Sequence, residues 1–221
     1  MDSMAAATHP ASVPVSDSAS ATASVSAAPQ PRRLIVAITG ASGAIYGVRA
    51  LEILRARGDV QTHLILSASG ARTLAEETEF SLAQVKALAD EVHHARDIGA
   101  AIASGSFSTL GMLVAPCSVK TLSGIAHCYD DELVVRAADV CLKERRRVVL
   151  LFRETPLHAG HIALMDQATR NGAILMPPVP AFYHRPTTLA EVVDQTVVRA
   201  LDLFGLETPG ARRWDGGARA G

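Results

Sequence analysis

The sequence contains little cysteine and almost no net charge, and each shortage excludes a class of protein. Its 221 residues include only three cysteines, Cys117, Cys128 and Cys141, which argues against a disulfide framework and predicts a reducing, cytoplasmic location. The formal net charge of −1 at pH 7 gives no general attraction to nucleic acid or to a membrane surface. No apolar run reaches the about 20 residues that a membrane-spanning helix needs. The composition therefore predicts neither a nucleic-acid partner nor a membrane partner.

Residues 1–31 lack the composition of a packed segment. They are rich in Ala, Ser, Pro and Thr, and their charged side chains are those of Asp2 and Asp17. Such a segment cannot bury enough surface to offset its ordering entropy, so we expect it to be disordered. It has neither the charged start and apolar core of a signal peptide nor the arginines of a transit peptide. We assign the folded domain to residues 32–208 and expect a flexible tail over residues 209–221.

Short apolar runs and helical patterns alternate along the rest of the chain. Five runs predict strands, at residues 34–38, 62–66, 111–115, 148–152 and 173–176. Helices are predicted near residues 45–57, after 67–70, from 81, and at 120–127, 132–145, 159–171 and 188–205. Residues 91–109 are predicted to form a loop around Ser104-Gly105-Ser106. Because the strands are apolar throughout, we predict one α/β domain, a Rossmann-like (flavodoxin-like) doubly wound parallel sheet with helices on both faces.

The stretch LIVAITGASGAIYG, residues 34–47, has the order strand, small-residue loop, helix. This order presents backbone N–H groups to an anion at a helix N-terminus, and it predicts a phosphate site for a mononucleotide. A dinucleotide site is disfavoured because the glycine spacing is not G-x-G-x-x-G. Tyr46 also stands where the related spacing has glycine, and the second strand ends at Ser67 rather than at an acidic residue. The alternative is a tight turn without a ligand.

Ligands of parallel sheets bind beyond the carboxyl ends of the strands. This rule selects the loops at residues 40–44, 67–70, 117–121, 153–156 and 177–186. In the third loop, the hydroxyls of Ser118 and Thr121 and the ammonium of Lys120 suit a phosphate, although Ser118 could simply cap the helix. Cys117 is predicted to be a buried structural thiol, since the sequence identifies no base that would activate it.

Arg153 and Glu154 are two opposite charges placed directly at the end of an apolar strand. We interpret this pair as functional. The alternative is a salt-bridged helix entry in which Thr155 is the N-cap and Pro156 the first helical residue. That alternative accounts for Thr155 and Pro156 but does not require Arg-Glu.

Further cationic and phenolic side chains lie outside these strand ends. Arg136 and Lys143 are seven residues apart, so they share one helix face. Tyr183 lies in a proline-rich loop that can position a donor, and Arg199 lies on the last helix, where its pattern alone indicates a solvated charge. The basic run at residues 145–147 is interpreted as a helix C-terminus favoured by the macrodipole.

Metal-ligand patterns are weak in this sequence. His158 and His161 are three residues apart on a predicted helix, but no third ligand is evident. Asp130, Asp131 and Glu132 resemble the start of a diphosphate-magnesium motif, which Val134 interrupts. We therefore predict no catalytic metal.

Taken together, the motifs TGASGAIYGVR, APCSVKTLSGIAH, RAADVCLKERR, RETPLHAGHI and PPVPAFYHRP resemble the UbiX-type flavin prenyltransferases over about residues 32–214. The resemblance implies transfer of a dimethylallyl group from dimethylallyl phosphate to N5 and C6 of reduced FMN, without a metal. It also implies that the prenylated FMN serves a UbiD-type decarboxylase and that the chain assembles as a homododecamer. Ile98 stands where some members carry an aromatic residue.

The resemblance also implies roles for individual residues. The residues expected to contact FMN are Gly40, Ala41, Ser42, Ser67, Ser118, Val119, Lys120, Thr121 and Arg153. The residues expected to bind the prenyl phosphate, here called the phosphate clamp, are Lys143, Tyr183, Arg199 and Arg136. Glu154 manages protons, and Ser42 lies near the reacting atoms. Because members of the family share sites between subunits, some of these groups are expected to act across an interface.

Three other functions remain as alternatives. One is a flavin-dependent cysteine decarboxylase of the same superfamily, which the RET and FYHRP loops argue against. The second is a non-catalytic FMN-carrier subunit of an aromatic acid decarboxylase. A nicotinamide-dependent reductase is the third, and the glycine spacing and Ser67 disfavour it.

Overall fold

The computed structural model describes residues 31–208. The expectations of a disordered N-terminal segment and a flexible C-terminal tail concern residues 1–31 and 209–221, of which residues 1–30 and 209–221 lie outside the described residues. None of the helices in the described part is both long and apolar enough to cross a membrane.

Strands and helices alternate along the described residues. The strands are β1 (Arg33–Ile38), β2 (Gln61–Leu66), β3 (Glu91–His93), β4 (Gly111–Cys117), β5 (Arg147–Phe152) and β6 (Ile174–Leu175). The helices are α1 (Ala44–Arg57), α2 (Ala68–Glu77), α3 (Leu82–Leu88), α4 (Val119–His127), α5 (Leu133–Lys143), α6 (Ala159–Arg170) and α7 (Leu189–Asp202). Two short 3₁₀ turns cover Ala101–Ala103 and Phe182–His184.

The strands form one parallel sheet in the order β3-β2-β1-β4-β5-β6. Successive residues of β1 point to opposite faces, so Leu34, Val36 and Ile38 join one core cluster while Ile35 and Ala37 join the other. Both faces of the sheet are therefore buried, which explains why its inner strands are apolar throughout. The structure confirms the predicted doubly wound fold. The chain leaves β1 for β2 on one side and returns to β4 on the other, so the switch point of the sheet lies between β1 and β4.

The sequence predicted a loop over residues 91–109, and this prediction is wrong in part. These residues contain β3, which pairs with β2 through Leu64 and Val92, and the 3₁₀ turn Ala101–Ala103. A three-residue strand has no periodicity that a sequence pattern can reveal, and Glu91 and Val92 are exposed at the edge of the sheet. Its extended conformation comes from pairing with β2.

His63 on β2 is a buried polar residue that joins β2 to β3. Its side chain is 1% exposed, and its Nδ1 lies 3.0 Å from Nε2 of His93. The two rings are nearly parallel, at 19°, with centroids 5.3 Å apart. This geometry is that of an N–H···N hydrogen bond between the two imidazole rings.

We expect the free energy of unfolding to fall as the pH drops below about 6.5, because burial lowers the pKa of His63 and the residue resists protonation in the fold. Burial is the main cause of its lowered pKa, with the carboxylate of Glu91 opposing the shift and the charges of His93 and Arg33 adding to it. The unfolded chain binds more protons than the folded chain in this pH range, so protonation favours unfolding.

Urea unfolding at several pH values between 7 and 5 measures this effect. His63→Asn, which keeps a polar group near Nδ1, should lose part of the pH dependence. His94→Asn changes the exposed neighbouring histidine and should keep the wild-type slope. A His63→Asn slope equal to that of the wild type would contradict the assignment.

Candidate functional site

A pocket of about 500 Å³ lies at the carboxyl ends of β1 and β5. Its wall combines the loop after β1, the first turn of α1, the end of α2, the Arg153–Thr155 segment after β5, residues 177–179 and the first turns of α7. The pocket therefore joins three of the five loops that the sequence selected. Its polar lining includes Ser42, Tyr46, Glu77, Arg153 and Glu154.

The loop after β1 turns through Gly43, whose φ of 102° is in the region that favours glycine. The first N–H groups of α1 then meet a carboxylate from the same chain. Glu77 Oε2 accepts hydrogen bonds from Gly43 N at 2.7 Å and from Ala44 N at 3.3 Å. The sequence predicted a mononucleotide phosphate at this helix N-terminus, whereas in this structure the carboxylate of Glu77 accepts from its first N–H groups.

Glu77 is a pocket residue that the sequence reasoning missed. Partial burial pushes its pKa upward, but hydrogen bonds from Ser42, Gly43 and Ala44 and the positive charge of Arg153 outweigh burial and lower the pKa. Glu77 is therefore a carboxylate at neutral pH. It contacts Gly43 from 34 positions further along the chain, so no local motif could have identified it.

Thr39 ties together the strand ends at the switch point. Its buried Oγ1 donates to Pro116 O at 2.8 Å and accepts from Ser118 N at 2.9 Å. At the next residue, a side chain on Gly40 would overlap Ser69 of α2, so glycine allows α2 to pack against the loop. The N-termini of α2 and α4 consequently flank the end of β1.

The seryl residues at these two N-termini are both helix caps. Ser67 Oγ accepts from Gly70 N at 3.0 Å, and Ser118 Oγ accepts from Thr121 N at 3.3 Å. The capping alternative for Ser118 is therefore confirmed, although a cap hydroxyl keeps its own O–H as a donor. The exposed Lys120 ammonium instead pairs with Glu132 at 2.6 Å.

Arg153 and Glu154 lie exposed in the pocket wall. Arg153 N donates to Cys117 O at 3.1 Å, and Glu154 Oε1 accepts from Thr155 N at 2.9 Å. The helix-entry alternative is wrong, because α6 begins at Ala159 and its N-cap is His158 rather than Thr155. The turn between Thr155 and the helix leaves both charged side chains available to a ligand.

Arg153 also acts on the phenol of Tyr46, which lies beside it in the pocket. Burial raises the pKa of Tyr46, and the positive charge of Arg153 partly opposes that rise. Tyr46 is therefore a neutral hydroxyl at physiological pH. The sequence reasoning used this residue only as evidence against a dinucleotide, yet the structure places it in the pocket lining.

The four residues of the expected phosphate clamp do not line this pocket within residues 31–208. Arg136 binds Asp130 at 3.0 Å, and Lys143 pairs with Glu144 at 2.6 Å. Arg199 is exposed on α7, and Tyr183 is 60% exposed in the 3₁₀ turn before α7. One chain therefore does not bring these groups to the pocket.

Other candidates lie outside the chemistry of the pocket. Cys117 is fully buried, and burial raises the pKa of its thiol far above the usual range, as expected for a structural thiol. The rings of His158 and His161 stack with centroids 3.7 Å apart. Among the described residues, the cluster with metal-ligand spacing contains His63 and His93 with Glu91, away from the pocket. The two histidines of that cluster bind each other.

The fold and the pocket define a mononucleotide-binding α/β protein, and the sequence profile of the Flavoprotein family matches residues 22–192. The chain is 60% identical over 187 residues to the flavin prenyltransferase UbiX of Escherichia coli K12, covering 84% of this chain and 99% of that protein. It is 55% identical over 184 residues to the UbiX enzyme of Thauera aromatica, covering 83% and 94%. The chain belongs to the UbiX-type flavin prenyltransferases.

Solved structures support the same relationship. AnUbiX (PadA1), in complex with FMN and dimethylallyl pyrophosphate, superposes with a TM-score of 0.83 at 48% identity, covering 85% of this chain and 100% of that one. A dodecameric FMN-dependent UbiX-like decarboxylase from Escherichia coli O157:H7 gives 0.81 at 50% identity, covering 83% and 100%. The FMN-dependent cysteine decarboxylase TvaF gives 0.56 at 13% identity, which is a likeness of fold alone.

Proposed function

We propose that this protein transfers a dimethylallyl group from dimethylallyl phosphate to N5 and C6 of reduced FMN. The observation that carries the proposal is the pocket lined by Ser42, Arg153 and Glu154, in a chain that is 60% identical to a flavin prenyltransferase. The prenylated FMN is released to a UbiD-type decarboxylase. The three free cysteines support a reducing, cytoplasmic location for this reaction.

Flavin binding is assigned to the strand ends around the switch point. Gly40, Ala41 and Ser42 follow β1, and the N-termini of α2 and α4 flank them. FMN donors on these elements come from Ser67, Ser118, Val119, Lys120, Thr121 and Arg153. Because Glu77 already accepts from the first N–H groups of α1, we assign the FMN phosphate to the N-termini of α2 and α4.

Cleavage of the allylic C–O bond places negative charge on the departing phosphate and positive charge on the dimethylallyl fragment. Fixed cations and hydroxyls that surround the phosphate stabilise this charge separation without a metal. Arg153 supplies one such cation in the pocket itself. Attack by N5 forms the first C–N bond as the phosphate leaves, and the N5 proton is lost. Closure at C6 adds one proton to the remaining allylic double bond and removes one from C6, and Glu154 can relay these protons.

The clamp of Lys143, Tyr183, Arg199 and Arg136 is assigned to the boundary between subunits. The family resemblance implies a homododecamer, and a solved relative is dodecameric. Lys143 and Arg136 are carried on α5 and lie outside the pocket of their own chain. We assign them to the pocket of a neighbouring subunit, where they complete the phosphate site.

Incubation of the protein with FMN, a reductant and dimethylallyl phosphate tests the reaction. The flavin is then released and its mass measured, and a five-carbon addition is the expected result. Flavin that binds but is recovered unchanged would favour a carrier subunit. Turnover of a cysteinyl peptide in place of prenylation would favour a cysteine decarboxylase.

Arg199→Ala is expected to lower the affinity for dimethylallyl phosphate by about 10-fold and the affinity for FMN much less. A guanidinium contributes a charge-assisted hydrogen bond to a phosphate, and this variant removes it. The affinities of FMN and of dimethylallyl phosphate are measured separately on the full-length protein. Arg170→Ala, which removes an exposed arginine from α6, is the matched control. An equal loss of affinity for both ligands would count against the clamp.

A further inference from the structure

Arg146 fastens the Ser104–Phe107 segment to the end of α5. Its Nη1 donates to Phe107 O at 2.7 Å, and its Nη2 donates to Gly105 O at 2.7 Å. The two terminal nitrogens of one planar guanidinium thus bind two carbonyls of one segment, which fixes the position of the segment. The side chain of Arg146 therefore does more than complement the dipole of α5.

The fastened segment lies directly against Lys143. A Cβ atom on Gly105 would stand 2.8 Å from Lys143 Nζ and would overlap the carboxylate of Glu144. On either side of Gly105, the hydroxyls of Ser104 and Ser106 bind each other at 2.9 Å. One ammonium and two exposed hydroxyls therefore share a small surface, and glycine allows them to approach.

We propose that Arg146 is a positioning residue that holds the Ser104–Ser106 hydroxyls beside Lys143, so that the three groups bind one phosphate monoester, that of the prenyl donor. The inference rests on the proposed function, which supplies this substrate and the role of Lys143. The surface lies outside the pocket of its own chain, so it serves the pocket of a neighbouring subunit.

The donor chemistry of this surface matches a phosphate. An ammonium has three N–H donors, and the hydrogen bond between Ser104 and Ser106 uses one of their two O–H donors and leaves the other for a ligand, whereas a phosphate dianion offers only acceptors. Glu144 occupies one donor of Lys143, at 2.6 Å. That ion pair is exposed and therefore weak, so Lys143 can turn a second donor toward an incoming phosphate.

Steady-state kinetics on the flavin-loaded enzyme test the proposal with three variants. Arg146→Lys keeps the charge but cannot donate to both carbonyls, and it should raise KM for dimethylallyl phosphate by about 10- to 100-fold. The affinity for FMN should change by less than about twofold, because the hydrogen bonds described for the segment join it to Arg146, to Ala101 and to itself rather than to the loops assigned to FMN. Arg147→Ala, which removes an exposed charge one residue away, should leave both values unchanged.

Gly105→Ala tests the same surface without removing a charge. The added methyl group displaces the flexible ends of Lys143 and Glu144 rather than backbone, so the protein should keep its melting temperature while KM for dimethylallyl phosphate rises. This variant decides the matter if the Arg146 variants fail to fold. An unchanged KM in Gly105→Ala would overturn the proposal.

Two further outcomes separate this inference from the proposed function. If Arg146→Lys lowers the affinities for FMN and for dimethylallyl phosphate by the same factor, the role of Arg146 is only structural and the inference fails. If the wild-type protein binds dimethylallyl phosphate but makes no prenylated flavin, the proposed reaction fails. Calorimetric binding of dimethylallyl phosphate then still tests the surface.

Discussion

Glu154→Gln is expected to slow flavin prenylation by about 10²- to 10⁴-fold while FMN affinity stays nearly constant, since one positioned acid–base group contributes about that much. Glutamine keeps the size of the side chain and an oxygen that accepts from Thr155 N, but it cannot accept the proton released at C6. The pocket geometry should therefore survive the change. The loss should appear in the rate of the ring-closing step.

A single-turnover experiment with reduced FMN and dimethylallyl phosphate measures this step. The flavin products are separated at successive times and identified by their mass. An N5 adduct without the C6 bond should accumulate in the variant. Glu76→Gln, which alters an exposed glutamate of α2 that pairs with Arg72, is the matched control and should behave as the wild type. Unchanged turnover in Glu154→Gln would remove Glu154 from the mechanism.

Mixing two inactive variants is expected to restore activity if, as proposed, neighbouring subunits contribute Glu154 and Lys143 to one shared pocket. Glu154 lines the pocket of its own chain, whereas Lys143 does not. Glu154→Gln and Lys143→Ala each damage every pocket of a uniform oligomer. In a randomly mixed oligomer, about one quarter of the pockets receive an intact Glu154 from one subunit and an intact Lys143 from its neighbour.

The two variants are mixed under conditions that dissociate and reassemble the oligomer, and prenylation is then measured at low dimethylallyl phosphate. Recovery toward about one quarter of the wild-type rate is the expected result. A mixture of Glu154→Gln with the double variant Glu154→Gln/Lys143→Ala has no intact Glu154 and should stay inactive. Activity that never exceeds the mean of the two variants would place both residues in one subunit.

The pocket contains two carboxylates with different surroundings, those of Glu77 and Glu154. Glu77 is held by Gly43 N and Ala44 N, and its lowered pKa keeps it ionised. Glu154 lies exposed in the pocket wall, with one oxygen bound to Thr155 N. An ionised Glu77 beside Arg153 and the N-terminus of α1 can orient Ser42, which agrees with the proposal that Glu154 is the group that exchanges a proton.

The sequence by itself determined the architecture of the domain and selected three loops that line the pocket. Strands buried on both faces must be apolar throughout, so β1, β4 and β5 were visible as runs, and the helices between them followed from their periodicity. Parallel strands place their carboxyl ends on one edge, which selected the loops that form the pocket. The Arg153–Glu154 pair was visible because two opposite charges directly follow the apolar run of β5, and the structure places both side chains in the pocket wall.

Only the tertiary structure decided which of these groups meet. Glu77 reaches the N-terminus of α1 because α2 packs against the loop after β1, and Arg146 reaches the carbonyls of Gly105 and Phe107 through the packing of α5. Likewise, β3 exists because β2 offers it hydrogen bonds. Periodicity and capping depend on residues a few positions apart, whereas these contacts depend on which elements become neighbours, and that is settled only when the sheet order and the packing of both faces are complete.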